Sequence, residues 1–580
     1  MERKLPGKNP IPGPFFDFAS KKESCQPSKS PWLTGLTDGF GCIREKLDAP
    51  PDWHRSIING KRHPGASLHW TRISDFAPEI GDIKGVWELS RFDWLIAFCR
   101  QYLSDGDIRW LDKMNFWLED WSCKNPANIG PNWKCGQEVS IRVMRLSLVG
   151  LLSGATDKMT PGLKAMIESH LRRIEPTIHY AVGQDNNHGT SEAAALFLGG
   201  SWLVRNGGGA DARMWAEKGR YWLENRISRL VEPDGTFSQY SVNYHRFMLD
   251  TVSLVEIWRR KLDLPVFRDA FYDRLKAATI WLFTMTDPVT GEVPNIGSND
   301  GARMLILDNS DYCDFRSSVQ LAAALFLHAR AFAEPGEYDL SLRLFDIMAK
   351  KPLAQFGSKV FYKGGFAVLT LDKANVFFRY PCFRFRPAQS DLLHLDFWLN
   401  GRNILRDAGT YSYNCDSECA EYFPGTAAHN SVQFDDHDQM PRLSRFLFGA
   451  WPEAETNGKI EGTTDKCHFA AGYKDWQGAK HRRDITLEKD SLTVIDVISG
   501  FHRKAVLRWR LIPGEWKLEN GELHGKGISI VIKADYIPKR MELTDGWESR
   551  YYSKKTALPV LEVEFDQDTT ITTAIKWKTS

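Results

Sequence analysis

The apolar residues of this chain repeat at two different periods, and the change of period divides the sequence. Across residues 86–333 they recur three to four positions apart, the spacing that lines one face of a helix. Trp87, Phe92, Leu95 and Cys99 approximate one such stripe. Segments 141–152, 163–182, 193–203, 247–258, 278–284 and 319–332 repeat the pattern, with short breakers at 156–158, 206–209, 233–235 and 287–291. Short connections make consecutive helices antiparallel neighbours, so this part reads as an all-α array of hairpins. After residue 352 the period becomes two. Segments 360–371, 375–380, 393–399, 485–497, 505–511, 528–534 and 561–575 alternate or carry β-branched runs between turns. Many strands without intervening helices imply an antiparallel sandwich or large sheet. The expected class is therefore α+β and multidomain. Residues 1–80, rich in Pro, Gly and Trp, form an irregular leader packed on the array; residues 81–345 form the helical domain and 346–580 the sandwich.

Composition narrows the function. The 580 residues are too many for a single small binding module. With 42% hydrophobic and 26% charged residues the chain is globular, not disordered. Lys and Arg number 75 against 73 Asp and Glu, a formal charge of +2, which excludes a global basic field for nucleic acid. An anionic partner must be held by a local patch. The 21 Trp suit a large core or sugar platforms, core being the commoner use. No window supplies the roughly 18 apolar residues of a membrane span. The start of the chain lacks the apolar stretch of a signal peptide, so a cytoplasmic protein is expected, or a periplasmic or secreted one if a signal was removed. The ten Cys contain no CxxC pair and read as free thiols of a reducing compartment. No organic cofactor is expected.

Three segments concentrate reactive side chains. In residues 184–192, Asn187 and His188 feed a helix start, where free N–H groups and a positive dipole suit a carboxylate. The bland alternative has Asn187 capping the helix and His188 bonding Glu192. In residues 234–246, a helical reading puts Tyr240 and Tyr244 on one face, beside His245 and Arg246. Cations there would pull a phenol below its ordinary pKa and make it a usable base and acid, whereas the commoner role is a pair of buried, bonded Tyr. In residues 392–399, alternation puts His394, Asp396 and Trp398 on one face and the leucines on the core face. Further on, Asp396, Asp407 and His429 can form a mixed oxygen and nitrogen metal site, though their spacing follows no compact motif.

The short motifs Val86-Trp87-Glu88-Leu89-Ser90-Arg91, Glu138-Val139-Ser140-Ile141-Arg142, Asn187-His188 with Glu192, Ser241-Val242-Asn243-Tyr244-His245-Arg246, Asn299-Asp300-Gly301, His394-Leu395-Asp396 and residues 425–432 occur in one order. In that order the chain resembles the heparinase II/III-like polysaccharide lyases over residues 85–437. The resemblance implies an incomplete α/α toroid followed by an antiparallel β-sandwich. It implies β-elimination on an acidic, uronate-containing polysaccharide. It makes Asn187 the group that neutralises the C5 carboxylate, with His188 beside it, and Tyr244 and His394 the base and acid. Glu138, Arg142 and Arg246 become candidates for holding the acidic chain or the catalytic groups, with Tyr240 and Trp398 counted among the substrate contacts. Asp407 and His429 resemble metal ligands of part of the family. Where those relatives carry His-x-His this chain has His394-Leu395-Asp396, so one structural divalent ion, zinc or calcium, is expected on Asp396, Asp407 and His429. Two rival readings stand beside the lyase. A glycoside hydrolase would draw its two carboxylates from Asp185, Glu192, Asp234 and Asp300. A non-catalytic carbohydrate-binding protein would use the Trp-rich surface.

Overall fold

A computed structural model describes residues 11–18, 25–47, 49–354, 357–456 and 458–578. Its helical half contains α1 (Lys84–Trp87), α2 (Asp93–Asp105), α3 (Ile108–Lys124), α4 (Gly136–Ser153), α5 (Pro161–Ile174), α6 (Ile178–Gly183), α7 (Asn187–Arg205), α8 (Ala210–Leu230), α9 (Val242–Lys261) and α10 (Asp269–Met285). Helices α4, α7 and α9 are buried along most of their length, whereas α3, α5 and α8 bury one stripe. The first three are an inner layer and the others an outer one, the arrangement of an incomplete toroid. Helices α7 and α8 pack against each other, and a Cβ on Gly219 would stand 2.3 Å from the Phe197 backbone nitrogen. Only glycine permits that approach. Leader residues Phe15, Phe16, Phe18, Trp32, Phe40 and Trp53 bury into the helical core.

The last helical turn of this half is Leu340–Leu344, and the first strand follows at Lys359. Strands β1 (Lys359–Phe361), β2 (Phe366–Leu371), β3 (Ala374–Arg379), β4 (Leu395–Leu399) and β5 (Arg402–Leu405) form an antiparallel sheet in sequence order. This sheet is buried on both faces. Ala367, Leu369, Val376, Phe378, Leu395 and Phe397 enter the core of the β half, while Phe361, Phe366, Val368, Phe377 and Trp398 enter the helical core. Alternation explains the division, since neighbouring side chains on a strand leave opposite faces. The Trp281 ring of α10 lies 5.5 Å from that of Phe366, so one apolar core runs across the domain boundary. Trp398 belongs to that core, buried and donating its indole N–H to Asp396, which excludes it from a sugar-facing wall.

A second sheet centres on Lys466–Lys474, Lys480–Glu488, Ser491–Ser499, Thr569–Trp577 and Ile528–Ala534. A third pairs Arg540–Tyr551, Lys554–Phe565, Ala505–Arg510 and β6 (Val432–Phe434). All of these pairings are antiparallel, and together with the first sheet they make the sandwich. No disulfide joins any of the ten cysteines. Among the described residues, no helix is long and apolar enough to cross a membrane.

Candidate active site

Helix α7 starts at Asn187, and the preceding Asn186 is its cap, its side chain accepting the His188 N–H at 3.0 Å. The cap therefore sits one residue earlier than the capping alternative would have it. Gln239 accepts the Asn187 backbone N–H at 2.9 Å. The side-chain amide of Asn187 and the ring of His188 make no hydrogen bond to any described residue. Neither is committed to structure, as a ligand-binding pair requires. His188 also does not reach Glu192. That carboxyl turns inward against Gly136 at the start of α4, where a Cβ would meet its Oε1 at 2.5 Å. Burial pushes Glu192 up to about 8. Burial, then the charge of Lys84, lowers His188 to about 4, so its imidazole is neutral at physiological pH.

Helix α9 starts at Val242, capped by Ser241, whose hydroxyl accepts the Tyr244 N–H at 3.2 Å. Tyr240 precedes the helix at φ +50°, so it does not share a helical face with Tyr244. Its phenol oxygen instead accepts the backbone N–H groups of Arg384 and Phe385, at 2.9 and 3.1 Å. Tyr240 thus pins a sandwich loop to the helical half. The Tyr244 hydroxyl meets that of Tyr413 at 2.8 Å. The expected acidification of Tyr244 is reversed. Burial, reinforced by Asp300 and Tyr413, pushes the phenol well above its ordinary value. The cations meant to lower it point elsewhere. His245 stacks on Trp281 and bonds the Ala278 carbonyl, and Arg246 bonds the Tyr312 carbonyl between aromatic rings. Successive residues on a helix leave it about 100° apart, so Tyr244 and its two neighbours cannot face one cleft.

The cation beside Tyr244 and Tyr413 is Lys84. It bonds Asp300 at 3.0 Å and lies 5.5 Å from the Tyr413 ring centroid. Below it, Arg91 forks onto Glu138 with two 2.8 Å bonds and reaches Glu88 with a third. Glu138 is therefore a buried counter-charge and not an exposed substrate contact. Arg142 is also internal, stacked near Trp121 and bonded to His170 and the Asn132 carbonyl. Neither Arg142 nor Arg246 reaches a surface where an acidic chain could lie. Arg386 does. It is exposed, makes no ion pair among the described residues, and sits close enough for its charge to depress His188. Tyr552 closes the wall, bonding Asp82 through its hydroxyl and accepting the Tyr413 N–H at 2.8 Å. Lys84, Tyr413, Tyr552 and Arg386 were not among the residues that patterning selects. Only Arg386 carried a local signal, the alternation Phe383-Arg384-Phe385-Arg386.

The partners of His394 are Asp396, Asp407, His429 and Asn430 instead of this group. Its imidazole is fully enclosed, with Nε2 3.4 Å from Asp407 and 3.6 Å from Asp396. The trio that converges is His394, Asp407 and His429, with potential ligand atoms within 4.8 Å of one another. Asp396 is not in it. Its two oxygens accept the Trp398 indole N–H and the Asp407 backbone N–H. The trio leaves His394 Nε2 and His429 Nε2 buried without a hydrogen-bond partner, so a divalent ion on these three residues is chemically suited to it. Asn430 directs its backbone N–H at His394 Nδ1 at 3.0 Å. Asp407 accepts the Gly409 N–H at 2.7 Å and meets His429 Nδ1 at 2.8 Å.

A toroid joined to a sandwich, with uncommitted polar groups at the seam, defines the class of protein. A heparinase II/III N-terminal model matches residues 63–304, and a heparinase II/III-like C-terminal model matches residues 354–578. The chain belongs to the heparinase II/III family. It is 23% identical over 373 residues to a heparin-sulfate lyase of Pedobacter heparinus, covering 62% of this chain and 53% of that one. It is 20% identical over 470 residues to a heparin-sulfate lyase of Bacteroides stercoris, covering 74% and 64%. The chain thus spans between about half and two thirds of the length of these relatives. Among solved structures, a heparinase III matches with a TM-score of 0.70 at 14% identity, covering 96% of this chain and 85% of that one. A chondroitin AC lyase of Streptomyces coelicolor A3 matches at 0.54 and 13%, covering 84% and 74%. These likenesses establish the fold, an incomplete toroid followed by an antiparallel sandwich.

Proposed function

We propose that the protein is a polysaccharide lyase that cleaves a uronate-containing chain by β-elimination. The observation that carries this reading is the uncommitted Asn187 amide and His188 ring at a helix start, beside the Tyr244–Tyr413 hydroxyl pair and Lys84. Elimination removes the proton at C5, forms the C4–C5 double bond and expels the C4 oxygen, which must gain a proton. The Asn187 amide and the α7 N-terminus supply donors to the C5 carboxylate as its charge grows, and Lys84 adds a nearby positive charge. Tyr244, held neutral by its burial, is suited to donate the proton to the leaving oxygen, and Tyr413 is placed to replenish it. His188, held neutral, offers the free nitrogen lone pair that the C5 proton requires. In this reading His394 braces the strand behind the site instead of acting as the base. Arg386 holds the acidic chain outside the cleft. The relatives named as heparin-sulfate lyases support an acidic polysaccharide as the substrate class.

The hydrolase alternative loses its carboxylates. Asp185 is bonded to Arg226 and Arg229, Asp234 to the backbone of residues 363 and 364, and Asp300 to Lys84, while Glu192 is buried. The deciding experiment is a screen of polyuronates that follows the ultraviolet absorbance of the unsaturated product. Chain cleavage without that absorbance would refute elimination.

A further inference from the structure

A second chamber lies behind the site, enclosed by the leader, α2, α4 and the 301–312 loop, with a volume of about 310 Å³. Arg91 and Glu88 form its wall toward Lys84, and Gly301 and Ala302 continue directly from Asp300. The chamber and the candidate active site are therefore neighbours with a shared partition.

Its lining has an excess of unanswered donors. Arg100 is 1% exposed, and its one bond is from Nη1 to the Asp308 carbonyl at 3.3 Å. Its Nε and Nη2 have no partner, and among the described residues no carboxylate pairs with it. Arg145 and Arg303 line the same space. Each is paired through its terminal nitrogens, to Asp93 and Asp308, and each leaves Nε without a partner. The Trp32 indole N–H is unpartnered as well. Among the described residues of the lining, one buried acceptor lacks a hydrogen bond, Asp38 Oδ1, and it lies 2.6 Å from Arg44. A buried guanidinium without a counter-charge is strongly unfavourable unless an acceptor answers it. Burial also raises Asp38, Asp93 and Glu88 above their ordinary values.

The unanswered donors come from four separate segments: the leader, α2, α4 and the 301–312 loop. A planar carboxylate is served best by one fork, whereas a tetrahedral oxyanion accepts from several directions at once. We propose that this chamber binds a small tetrahedral oxyanion of the sulfate or phosphate class, with Arg100 as its principal contact. The ion ties the leader and α2 to the loop that carries Asn299 and Asp300, and so braces one wall of the neighbouring cleft. It arrives either free or as the ester group of a short saccharide.

The test uses the full-length protein and measures binding, not activity. Isothermal titration is run with sodium sulfate, sodium phosphate and glucosamine 6-sulfate, each against sodium chloride at matched ionic strength. Saturable binding of at least one oxyanion probe is expected. Arg100→Gln removes a charged partner and should weaken it by about 10- to 100-fold. Trp32→Phe keeps an aromatic side chain but loses the indole N–H, and should weaken it severalfold. Binding of the free ions assigns a free oxyanion; binding of the sugar sulfate alone assigns an ester. Should Arg100→Gln fail to fold, Trp32→Phe decides. Absence of saturable binding with every probe, or equal affinity in wild type and folded variants, overturns the proposal.

Discussion

Tyr244 and Tyr240 are four residues apart in sequence and do different work. Tyr244→Phe keeps a buried ring and removes the hydroxyl that faces Tyr413. On the proposed mechanism turnover falls about 10²- to 10⁴-fold, the usual worth of a positioned acid, with melting little changed. Steady-state rates and calorimetry on one preparation check both halves. Unchanged turnover would remove the phenol from the mechanism. Tyr240→Phe should do the reverse. It leaves two backbone N–H groups without their acceptor, so stability should drop by about 1–3 kcal/mol in denaturant titration. The two tyrosines look equivalent in sequence. A spacing of four suggests one helical face, yet the helix begins two residues after Tyr240, in a turn closed by the Ser241 cap. Similarly, Asn187 and His188 were legible because the polar run precedes an apolar helix. Lys84, Tyr413 and Tyr552 were not, because each joins the site through contacts hundreds of residues distant in sequence, such as Tyr552 to Asp82.

At the scale of elements, the two-period division of the chain gives the order toroid then sandwich, and the apolar stripes find the inner helices. They do not single out α3 and α8. Exposed Ile108 and Phe116 on α3, and exposed Met214 and Tyr221 on α8, blur the boundary between buried and solvent faces. The strand that follows His394 shows the opposite limit. Alternation correctly sends Leu395 and Phe397 to the β core, but its other face meets helices where a cleft was expected. Two predictions belong here. Glu192 at the α4–α7 contact has its carboxyl raised to about 8 by burial, against an ordinary 4.5. Between those values the folded state binds more protons than the unfolded one, so this group makes stability fall as pH rises from about 4.5 to 8. Glu192→Gln should flatten that fall in melting curves across the window, and identical slopes would refute the assignment. A divalent ion held by the His394–Asp407–His429 cluster would brace the strand beside it, so EDTA should lower the melting temperature, and an unchanged one would remove the site. Stoichiometric zinc or calcium in elemental analysis, with a lower melting point after chelation, would show that an ion completes the cluster.

The whole molecule has a core that ignores its own domain boundary. Phe361, Phe366, Val368, Phe377 and Trp398 of the first sheet pack with the helical residues, Trp281 among them. Hinged closure of sandwich on toroid would have to open this apolar contact, so the cleft is set by a fixed junction. Calorimetry should show one cooperative transition, not two. Residues 1–350 made alone should aggregate, since they would expose the surface that Phe366 and Trp398 cover. Two resolved transitions, with a soluble and monomeric helical fragment, would contradict a shared core.

The bond from Tyr552 to Asp82 spans 470 positions of sequence. A growing chain presents Asp82, Lys84, Asn187 and Tyr244 long before it presents Tyr413 and Tyr552. The order of synthesis therefore fixes an order of competence. Every reactive group supplied by the toroid waits in an open, unwalled cleft until the last long strands are made and folded back. On the proposed function, a nascent chain that carries only the helices lacks Tyr413 and Tyr552 and should be inert toward polyuronates.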